Sequence, residues 1–378
     1  MPFTINHAYV ATGTDAGNGE VHKSQWNADH SPTFTSSFLR NRVINGDMRF
    51  DQRNEGASIS NPGGSGKYGV DRWVSYGTQA SKFTAQRSTT AAAGYNYSNL
   101  ITSSSAYSVL SSDFFLVYQA IEGVNAADLG WGAAGAKTVT LSFWVRSSLT
   151  GTFGGSLQNF GAGRSYPFTY SISAANTWEQ KTVTVAGDTS GTWLTDTSAG
   201  IVLVFSMGAG STFSGTANTW ASANYYTATG ATSVVGTNGA TFYFTGVQLE
   251  EGSVATAFER RPYAYELFLC QRYYQKTYAQ GTVPGTATRL NMALSMNTGG
   301  QVMTEVRWFS PMRAAPTISY WDGAGNASKN SYFLSAVWND NTNFISSFNQ
   351  TSTQLVLILP NASLSTNVFW HFAVEAEL

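Results

Sequence analysis

The chain has 378 residues, of which 11% are charged and 14% are aromatic, and its formal net charge is −1. Disordered chains are poor in aromatic residues, so this composition indicates a folded chain whose surfaces are polar but uncharged. The net charge gives no basic surface for a nucleic acid, and the single cysteine, Cys270, excludes an internal disulfide.

No targeting or membrane segment is predicted. Residues 1–7 lack the basic and apolar regions of a signal peptide. No stretch approaches the roughly 18 apolar residues of a membrane span. We therefore expect a soluble protein made in a reducing compartment, without membrane insertion. Uncharged polar surfaces suit contact with carbohydrate or packing between identical subunits.

Residues 1–40 are predicted to form an extended or partly helical arm. Residues 12–19 are turn-forming, and residues 20–30 have room for one or two helical turns. A segment this short cannot build a core of its own, so we expect it to pack against another protein surface.

Residues 41–261 show short strands separated by Gly, Ser, Thr and Asn loops, which is typical of an all-β domain. Residues 139–145 and 181–185 alternate between apolar and polar side chains. Residues 201–207 form a continuous apolar run, as in a strand buried on both faces. Two sheets over one core predict a jelly-roll β-sandwich.

Residues 262–276 are predicted to form a short helical connector that begins after Pro262. A connector this apolar must pack, either against the flanking domains or against the same connector of other subunits. Its apolar stripe contains Tyr263, Leu267, Cys270 and Tyr274.

Residues 277–378 are predicted to form a smaller C-terminal β domain. We consider it a possible receptor-binding tip. Its predicted strands are 303–309, 332–338, 354–359 and 368–374.

Charge is concentrated at the two ends of the predicted sandwich. Residues 40–55 hold seven charged side chains and residues 250–276 hold eight, whereas the 176 residues from 74 to 249 hold twelve. If the first and last strands meet, these charges form ion pairs rather than a catalytic site. The predicted partners are Arg260 and Arg261 with Asp47, Asp51 or Glu55.

Five segments frame the sandwich and its connector. They are Asn-Arg-Val-Ile-Asn-Gly-Asp-Met-Arg-Phe-Asp-Gln-Arg (41–53), Val-Asp-Arg-Trp (70–73), Leu-Ser-Phe-Trp-Val-Arg-Ser (141–147), Gly-Val-Gln-Leu-Glu-Glu-Gly (246–252) and Phe-Glu-Arg-Arg-Pro-Tyr with Leu-Cys-Gln-Arg-Tyr-Tyr (258–274). Together they resemble a module frequent in bacteriophage tail fibres and other virion appendages. That module is similar to the carbohydrate-binding jelly rolls attached to glycanases. Residues 19–30 also resemble short segments common in phage structural proteins.

The resemblance implies a non-enzymatic virion protein, usually a homotrimer. Residues 1–40 would attach it to other tail or head proteins of the virion, and its C-terminal domains would face a host polysaccharide or lipopolysaccharide. Such a protein is made in the host cytoplasm. One alternative is a structural component, such as a head decoration or tail adaptor, without receptor contact. The other is a glycan-cleaving hydrolase of the tailspike type.

Aromatic side chains in loops are the candidate glycan contacts, because rings pack on the C–H face of a sugar while neighbouring polar groups bind its hydroxyls. Packing on the sandwich or between subunits is the alternative for each of them. The candidates are Tyr95, Tyr97, Trp193, Trp220, Tyr225, Tyr226, Tyr320, Trp321 and Asp322.

No cofactor and no catalytic residue are predicted. Jelly rolls that resemble this one often hold a structural calcium ion near the first and last strands, where Asp47 and Glu250 are the nearest equivalents. Two carboxylates are few for calcium, which takes six or more oxygens. The sequence contains neither a common hydrolase motif nor the repeats of a β-helical tailspike.

Overall fold

The computed structural model describes residues 39–378, apart from residues 162, 296–300, 343–346 and 361–366. Residues 41–378 form one compact unit. The predicted arm and its attachment role lie outside the described residues, except for Leu39 and Arg40.

Fourteen short strands lie within residues 59–251 of the described chain, and twelve of them pair only antiparallel. A parallel pair, β12 with β13, and three short 3₁₀ helices at Gly123–Asn125, Ala127–Leu129 and Ser211–Phe213 lie between them. The strands are β1 (Ile59–Ser60), β2 (Gly66–Val70), β3 (Trp73–Gly77), β4 (Phe83–Ser88), β5 (Ser98–Ser103), β6 (Phe114–Glu122), β7 (Val139–Ser147), β8 (Gly151–Asn159), β9 (Ser165–Ile172), β10 (Glu179–Val185), β11 (Ala199–Ala209), β12 (Ser214–Gly215), β13 (Thr227–Ala228) and β14 (Thr241–Glu251).

In the described chain twelve of these strands, all but β12 and β13, form two six-stranded sheets. The first sheet has the order β1-β4-β5-β14-β7-β10, and the second has the order β2-β3-β6-β11-β8-β9. Every pairing within both sheets is antiparallel. The predicted all-β class and jelly-roll sandwich are confirmed.

The core lies between the two sheets. Val139, Leu141, Phe143 and Val145 alternate along β7 and are each 0% exposed, as the sequence pattern predicts. The Phe143 ring meets Phe205 of β11 with their centroids 5.0 Å apart. Each fully buried apolar side chain contributes about 1.5–3 kcal/mol to folding, so this interface supplies much of the sandwich's stability.

The opening segment, residues 41–56, forms turns rather than the strand that an alternation of Arg49, Asp51 and Arg53 would predict. Asn45 has a φ of 56° and is fully buried. Its Nδ2 donates to the backbone oxygens of Phe50 (2.8 Å) and Asp71 (3.0 Å), and its Oδ1 accepts the Phe50 N–H (3.0 Å). These bonds replace strand pairing, because a local side-chain amide competes for the same backbone groups.

The charged side chains of the boundaries do pair, but the predicted pairs are wrong. Arg261 pairs with Glu266 (3.3 Å), which lies one helical turn further along the chain. Asp51 instead accepts the backbone N–H groups of Asn54 (2.9 Å) and Gly56 (2.6 Å). The charged groups bond to carboxylates and backbone N–H groups that the turns bring close, rather than to the predicted partners. The other two predicted acids also take different partners, Asp47 with Arg49 (2.6 Å) and Glu55 with Arg87 (3.0 Å).

The predicted connector contains helix α1 (Tyr263–Gln271). Leu267 and Cys270 of its predicted stripe pack against Ile44 and Phe50 of the opening segment. Tyr263 is 53% exposed, but its ring centroid lies 4.8 Å from that of Phe50. In the described part of the chain, no helix has the length and apolar character needed to cross a membrane.

The C-terminal β domain is built around one long strand. This strand, β23 (Val368–Glu375), pairs with four others, and its alternating side chains Val368, Trp370, Phe372 and Val374 are buried, as predicted. A separate sheet has the order β17-β22-β21. The strands are β15 (Tyr274–Lys276), β16 (Ala293–Ser295), β17 (Gln301–Arg307), β18 (Thr317–Trp321), β19 (Asn330–Leu334), β20 (Val337–Thr342), β21 (Ser347–Gln350), β22 (Gln354–Pro360) and β23 (Val368–Glu375).

The single strand predicted at residues 332–338 is a hairpin between β19 and β20. Leu334 pairs with Val337, and the two residues between them, Ser335 and Ala336, have φ values of 51° and 63°. Two positive φ angles mark the turn type that suits a two-residue hairpin. Neither residue is the Asn or Gly that is typical of such a turn, so the sequence pattern of residues 332–338 predicts a single strand.

Ion pairs join both the end of the C-terminal domain and the connector to the sandwich. Glu377 pairs with Arg72, and it also lies 2.9 Å from Nη2 of Arg53. Arg272 makes two 2.7 Å bonds to the fully buried Glu122 of β6. Breaking such a pair on one side leaves a buried charge, so the two domains are held in a fixed arrangement.

We expect Asn45→Ala to lower the free energy of unfolding by about 3 kcal/mol, because it leaves several buried backbone groups without partners. Urea denaturation monitored by tryptophan fluorescence measures the loss. Asn125→Ala is the matched control, since Asn125 is exposed. Equal stability of the two variants would contradict the role given to Asn45.

Asp51 makes stability depend on pH. Burial, and then the charge of Asp71, raise its pKa from 3.8 to about 6. A raised pKa in the folded state adds stability below pH 3.8, and that stability is lost as the pH rises through 6. The free energy of unfolding of the wild type minus that of Asp51→Asn should therefore fall by about 2 kcal/mol between pH 4 and pH 7. Urea denaturation at each pH gives the difference, and a constant difference would show that Asp51 does not titrate in this range.

Candidate functional site

An apolar groove of about 180 Å³ lies on the outward face of the second sheet. Strand alternation places its floor, because Tyr118 of β6 pairs with Val204 of β11, and Val202 pairs with Gln158 of β8. Tyr76 of β3 is beside Leu116 in the neighbouring row. We call this surface the sheet groove. Its lining residues are Tyr76, Leu116, Tyr118, Ala120, Gln158, Asn159, Phe160, Gly161, Ala199, Val202, Val204, Tyr226 and Leu378.

The sheet groove continues into a more polar cavity of about 410 Å³, with which it shares Asn159, Phe160 and Gly161. Phe160 lies where the two meet and is 58% exposed. At the polar end the Arg164 guanidinium donates to both oxygens of Asp188 (2.7 Å each) and to the Ser222 hydroxyl (2.8 Å). The arginine is thereby neutralised and fixed, and the polar end offers hydroxyl and backbone groups to a ligand.

Of the predicted residues, Tyr226 lines the sheet groove, and Tyr225 precedes it in the chain without lining the groove. The Tyr226 ring lies 4.8 Å from that of Phe114, and its hydroxyl accepts a bond from Asn224 (3.1 Å). Gln158 holds this segment by donating to the Tyr225 carbonyl (2.8 Å). Contact of Tyr225 and Tyr226 with glycan remains a prediction, but the structure does place Tyr226 in the lining of the groove.

The predicted Trp193 and Trp220 pack with Trp131 as a cluster of three indoles. The ring centroids lie 4.7 to 5.5 Å apart in edge-on contacts. Each indole N–H donates to a backbone carbonyl, including Trp193 to Ser190 (3.1 Å). The cluster therefore supports the loop of residues 190–192, which lines the polar end.

The other predicted residues lie away from the sheet groove. Tyr95 is covered by Arg260, and Tyr97 by Arg87. Tyr320 and Trp321 lie in β18, where Tyr320 packs against the C-terminal core. Trp321 contacts Tyr278, with their ring centroids 5.9 Å apart.

Asp322 is fully buried and serves its own loop. It accepts the backbone N–H groups of Ala324 (3.0 Å), Asn326 (2.8 Å) and Asn341 (2.6 Å). Burial would raise its pKa, but these bonds and the Asn326 amide outweigh burial and lower it below the usual value. A carboxylate that is ionised and already bonded from several sides is a structural acceptor.

The two candidate calcium ligands are already bonded to neighbouring groups. Asp47 pairs with Arg49, and Glu250 accepts the backbone N–H (2.8 Å) and hydroxyl (2.7 Å) of Thr256. Among the described residues, no three His, Cys, Asp or Glu side chains are grouped as a metal site would require.

Sequence reasoning missed the aromatic floor of the sheet groove. Tyr76, Tyr118 and Phe160 lie in or beside strands, where an aromatic residue is usually part of the core. The available signal was alternation, since Phe115 and Val117 of β6 face inward and the side chain of Tyr118 points to the other face. Burial raises the pKa of Tyr118 to about 12 and also raises that of Tyr226, so both phenols stay neutral hydroxyls.

Comparisons with known proteins give low similarity. No family model matches the chain, and no curated protein matches it. Among solved structures, the enzymatically active domain of tailspike protein 4 from bacteriophage CBA120 aligns with 56% of this chain, at 12% identity and a TM-score of 0.32. The alignment spans 22% of the tailspike structure.

Two carbohydrate-binding modules align at similar levels. The family 11 module of the Clostridium thermocellum cellulase Lic26A-Cel5E matches at 12% identity and a TM-score of 0.26, over 52% of this chain and 95% of its own. The module TmCBM61, solved in complex with β-1,4-galactotriose, matches at 9% identity and a TM-score of 0.28, over 56% of this chain and 99% of its own. Alignments at these values carry no argument about what this chain binds.

Proposed function

We propose that this chain binds a neutral glycan in the sheet groove. The observation that carries the proposal is an outward strand surface lined by tyrosine, phenylalanine and amide side chains, beside a polar cavity. Rings of this kind pack on the C–H face of a sugar, and amides and hydroxyls bind its hydroxyl groups.

The polar groups of the sheet groove are held in place before a ligand arrives. The Asn159 side chain donates to the Thr192 carbonyl (2.9 Å), and its Oδ1 accepts the backbone N–H of Arg164 (2.8 Å). An amide oxygen has two lone pairs, so Asn159 can accept a second bond from a sugar hydroxyl. Fixed donors and acceptors lose little entropy on binding, which favours recognition of one sugar orientation.

The absence of charge from the lining supports a neutral ligand and binding without hydrolysis. No Asp, Glu, Lys or Arg lines the sheet groove in the described chain. Glycoside hydrolysis generally needs two carboxylates on either side of the bond that breaks. At the polar end, Asp188 lies 2.7 Å from Arg164 and is held by it.

We further propose that the protein is a virion appendage of a bacteriophage, and specifically a trimeric tail fibre. The sequence resemblance of residues 41–53, 70–73, 141–147, 246–252 and 258–274 supports this assignment. Three copies would add weak glycan contacts through effective concentration, so each contact can be weak alone. The arm at residues 1–40 would attach the fibre to the particle.

Phe160→Ala should weaken glycan binding about tenfold, because a lost ring contact is worth roughly 1 kcal/mol or more. A panel of immobilised neutral oligosaccharides identifies a ligand for the wild type, and calorimetry then compares the variants. Tyr243→Ala is the matched control, since Tyr243 is partly exposed on the first sheet. Equal affinity of Phe160→Ala and the wild type would contradict the site. Release of sugar from the bound oligosaccharide would contradict binding without hydrolysis.

The appendage assignment predicts a trimer of 40.7 kDa chains in light scattering of the full-length protein. It also predicts antibody labelling on the tail fibres of imaged particles. Labelling on the capsid would favour a head decoration, and a monomer at micromolar concentration would contradict the trimer.

A further inference from the structure

A second cavity, of about 260 Å³, lies on another part of the sandwich. The loop between β4 and β5 supplies one wall, the opening segment a second, and Arg260 with Tyr263, the first residue of α1, a third. We call it the Tyr95 pocket. Its lining residues are Asp47, Arg49, Gly94, Tyr95, Asn96, Tyr97, Arg260 and Tyr263.

The Tyr95 ring is fixed by packing on several sides. The Arg260 guanidinium lies 4.8 Å from its centroid, and Phe258 meets it edge-on at 5.4 Å. Gly246 has a φ of 61°, and a Cβ there would come within 2.5 Å of the Tyr95 ring. The pocket wall therefore depends on glycine at this position of the Gly-Val-Gln segment.

The charges of the Tyr95 pocket leave one guanidinium unmatched. Asp47 and Arg49 pair with each other at 2.6 Å. Arg260 donates to the Gly94 carbonyl (2.6 Å), and no carboxylate of the described chain forms an ion pair with it. The lining thus carries one excess positive charge, beside the exposed amide of Asn96 and the half-exposed ring of Tyr263.

We propose that the Tyr95 pocket binds one acidic sugar residue, a uronic or sialic acid. Its carboxylate would pair with Arg260, its hydroxyls would bind Asn96 and Asp47, and its C–H face would lie on Tyr263. Guanidinium groups bind carboxylates through paired N–H donors. An aromatic face beside a guanidinium fits a ring that carries a carboxylate better than it fits a free phosphate ion, which has no apolar face.

The proposal is independent of the sheet groove, because the two sites share no residue. The groove has no charged side chain in its lining and takes a neutral sugar, whereas the pocket takes an acidic one. A glycan of alternating neutral and acidic residues would therefore have two separate contacts with one copy of the chain.

Titration of the full-length protein with glucuronic acid and with N-acetylneuraminic acid tests the proposal, by calorimetry or by saturation-transfer NMR. At least one of them should bind, and the affinity should fall as NaCl is raised, because a charge pair at the surface is screened. Glucose should bind at least tenfold more weakly. Inorganic phosphate that competes as well as the sugar acid would overturn the proposal and leave an adventitious ion only.

Arg260→Gln should weaken sugar-acid binding about tenfold. Arg146→Gln is the matched control, since Arg146 lies over the Tyr243 ring at 5.0 Å and donates to a backbone carbonyl, but lines no part of the pocket. Tyr263→Ala provides a second variant that keeps every pocket charge, and its binding should also weaken. Binding by Arg260→Gln equal to the wild type would overturn the assignment. Phe160→Ala should leave sugar-acid binding unchanged, so failure of the sheet groove and failure of the Tyr95 pocket are distinguishable.

Discussion

The buried amide of Asn45 is the constraint on which the arrangement of the molecule depends. Besides the bonds of its side chain to Phe50 and Asp71, its backbone carbonyl accepts the indole N–H of Trp73 (3.2 Å), and its backbone N–H donates to the Glu266 carboxylate of α1. A buried amide without partners costs about 1–3 kcal/mol, so each of these segments is more stable when the others are in place. The segments that stand out in the sequence are therefore the ones that hold the sandwich, the helix and the opening turns in register.

The segments that meet at Asn45, together with the ion pairs of Glu377 and Glu122, form a seam that positions both proposed sites. The Val247 N–H donates to the Gly46 carbonyl (2.9 Å), which sets Gly246 against the Tyr95 ring. On the other side, the pairing of Glu377 with Arg72 brings Leu378 to the edge of the sheet groove. The charged side chains at the boundaries thus serve assembly, and no charged side chain lines the sheet groove in the described chain.

The alternation of apolar and polar side chains predicted those strands whose two faces differ in polarity. In β7 and β23 the alternation of apolar side chains corresponds to burial against a core, so both strands follow from the sequence. The ion pairs did not, because the nearest carboxylate depends on turns with positive φ at Asn45 and Glu55, which a strand pattern cannot show. For the groove, loop position identified Tyr226, but aromatic content alone could not distinguish an outward strand residue such as Tyr118 from a core residue.

The low charge content of the chain gives meaning to the few charges that remain unpaired. Most described arginines of the seam face a carboxylate, as Arg53, Arg72, Arg261 and Arg272 do. Arg146 also has no such partner, but it lies over the Tyr243 ring and lines no part of the Tyr95 pocket. Arg260 is exposed, and what distinguishes it is its place in the lining of that pocket, beside the Asn96 amide and the Tyr263 ring. An anion that also contacts these neighbours gains more from the guanidinium than a free ion does, and this is the physical reason for assigning the Tyr95 pocket an acidic ligand.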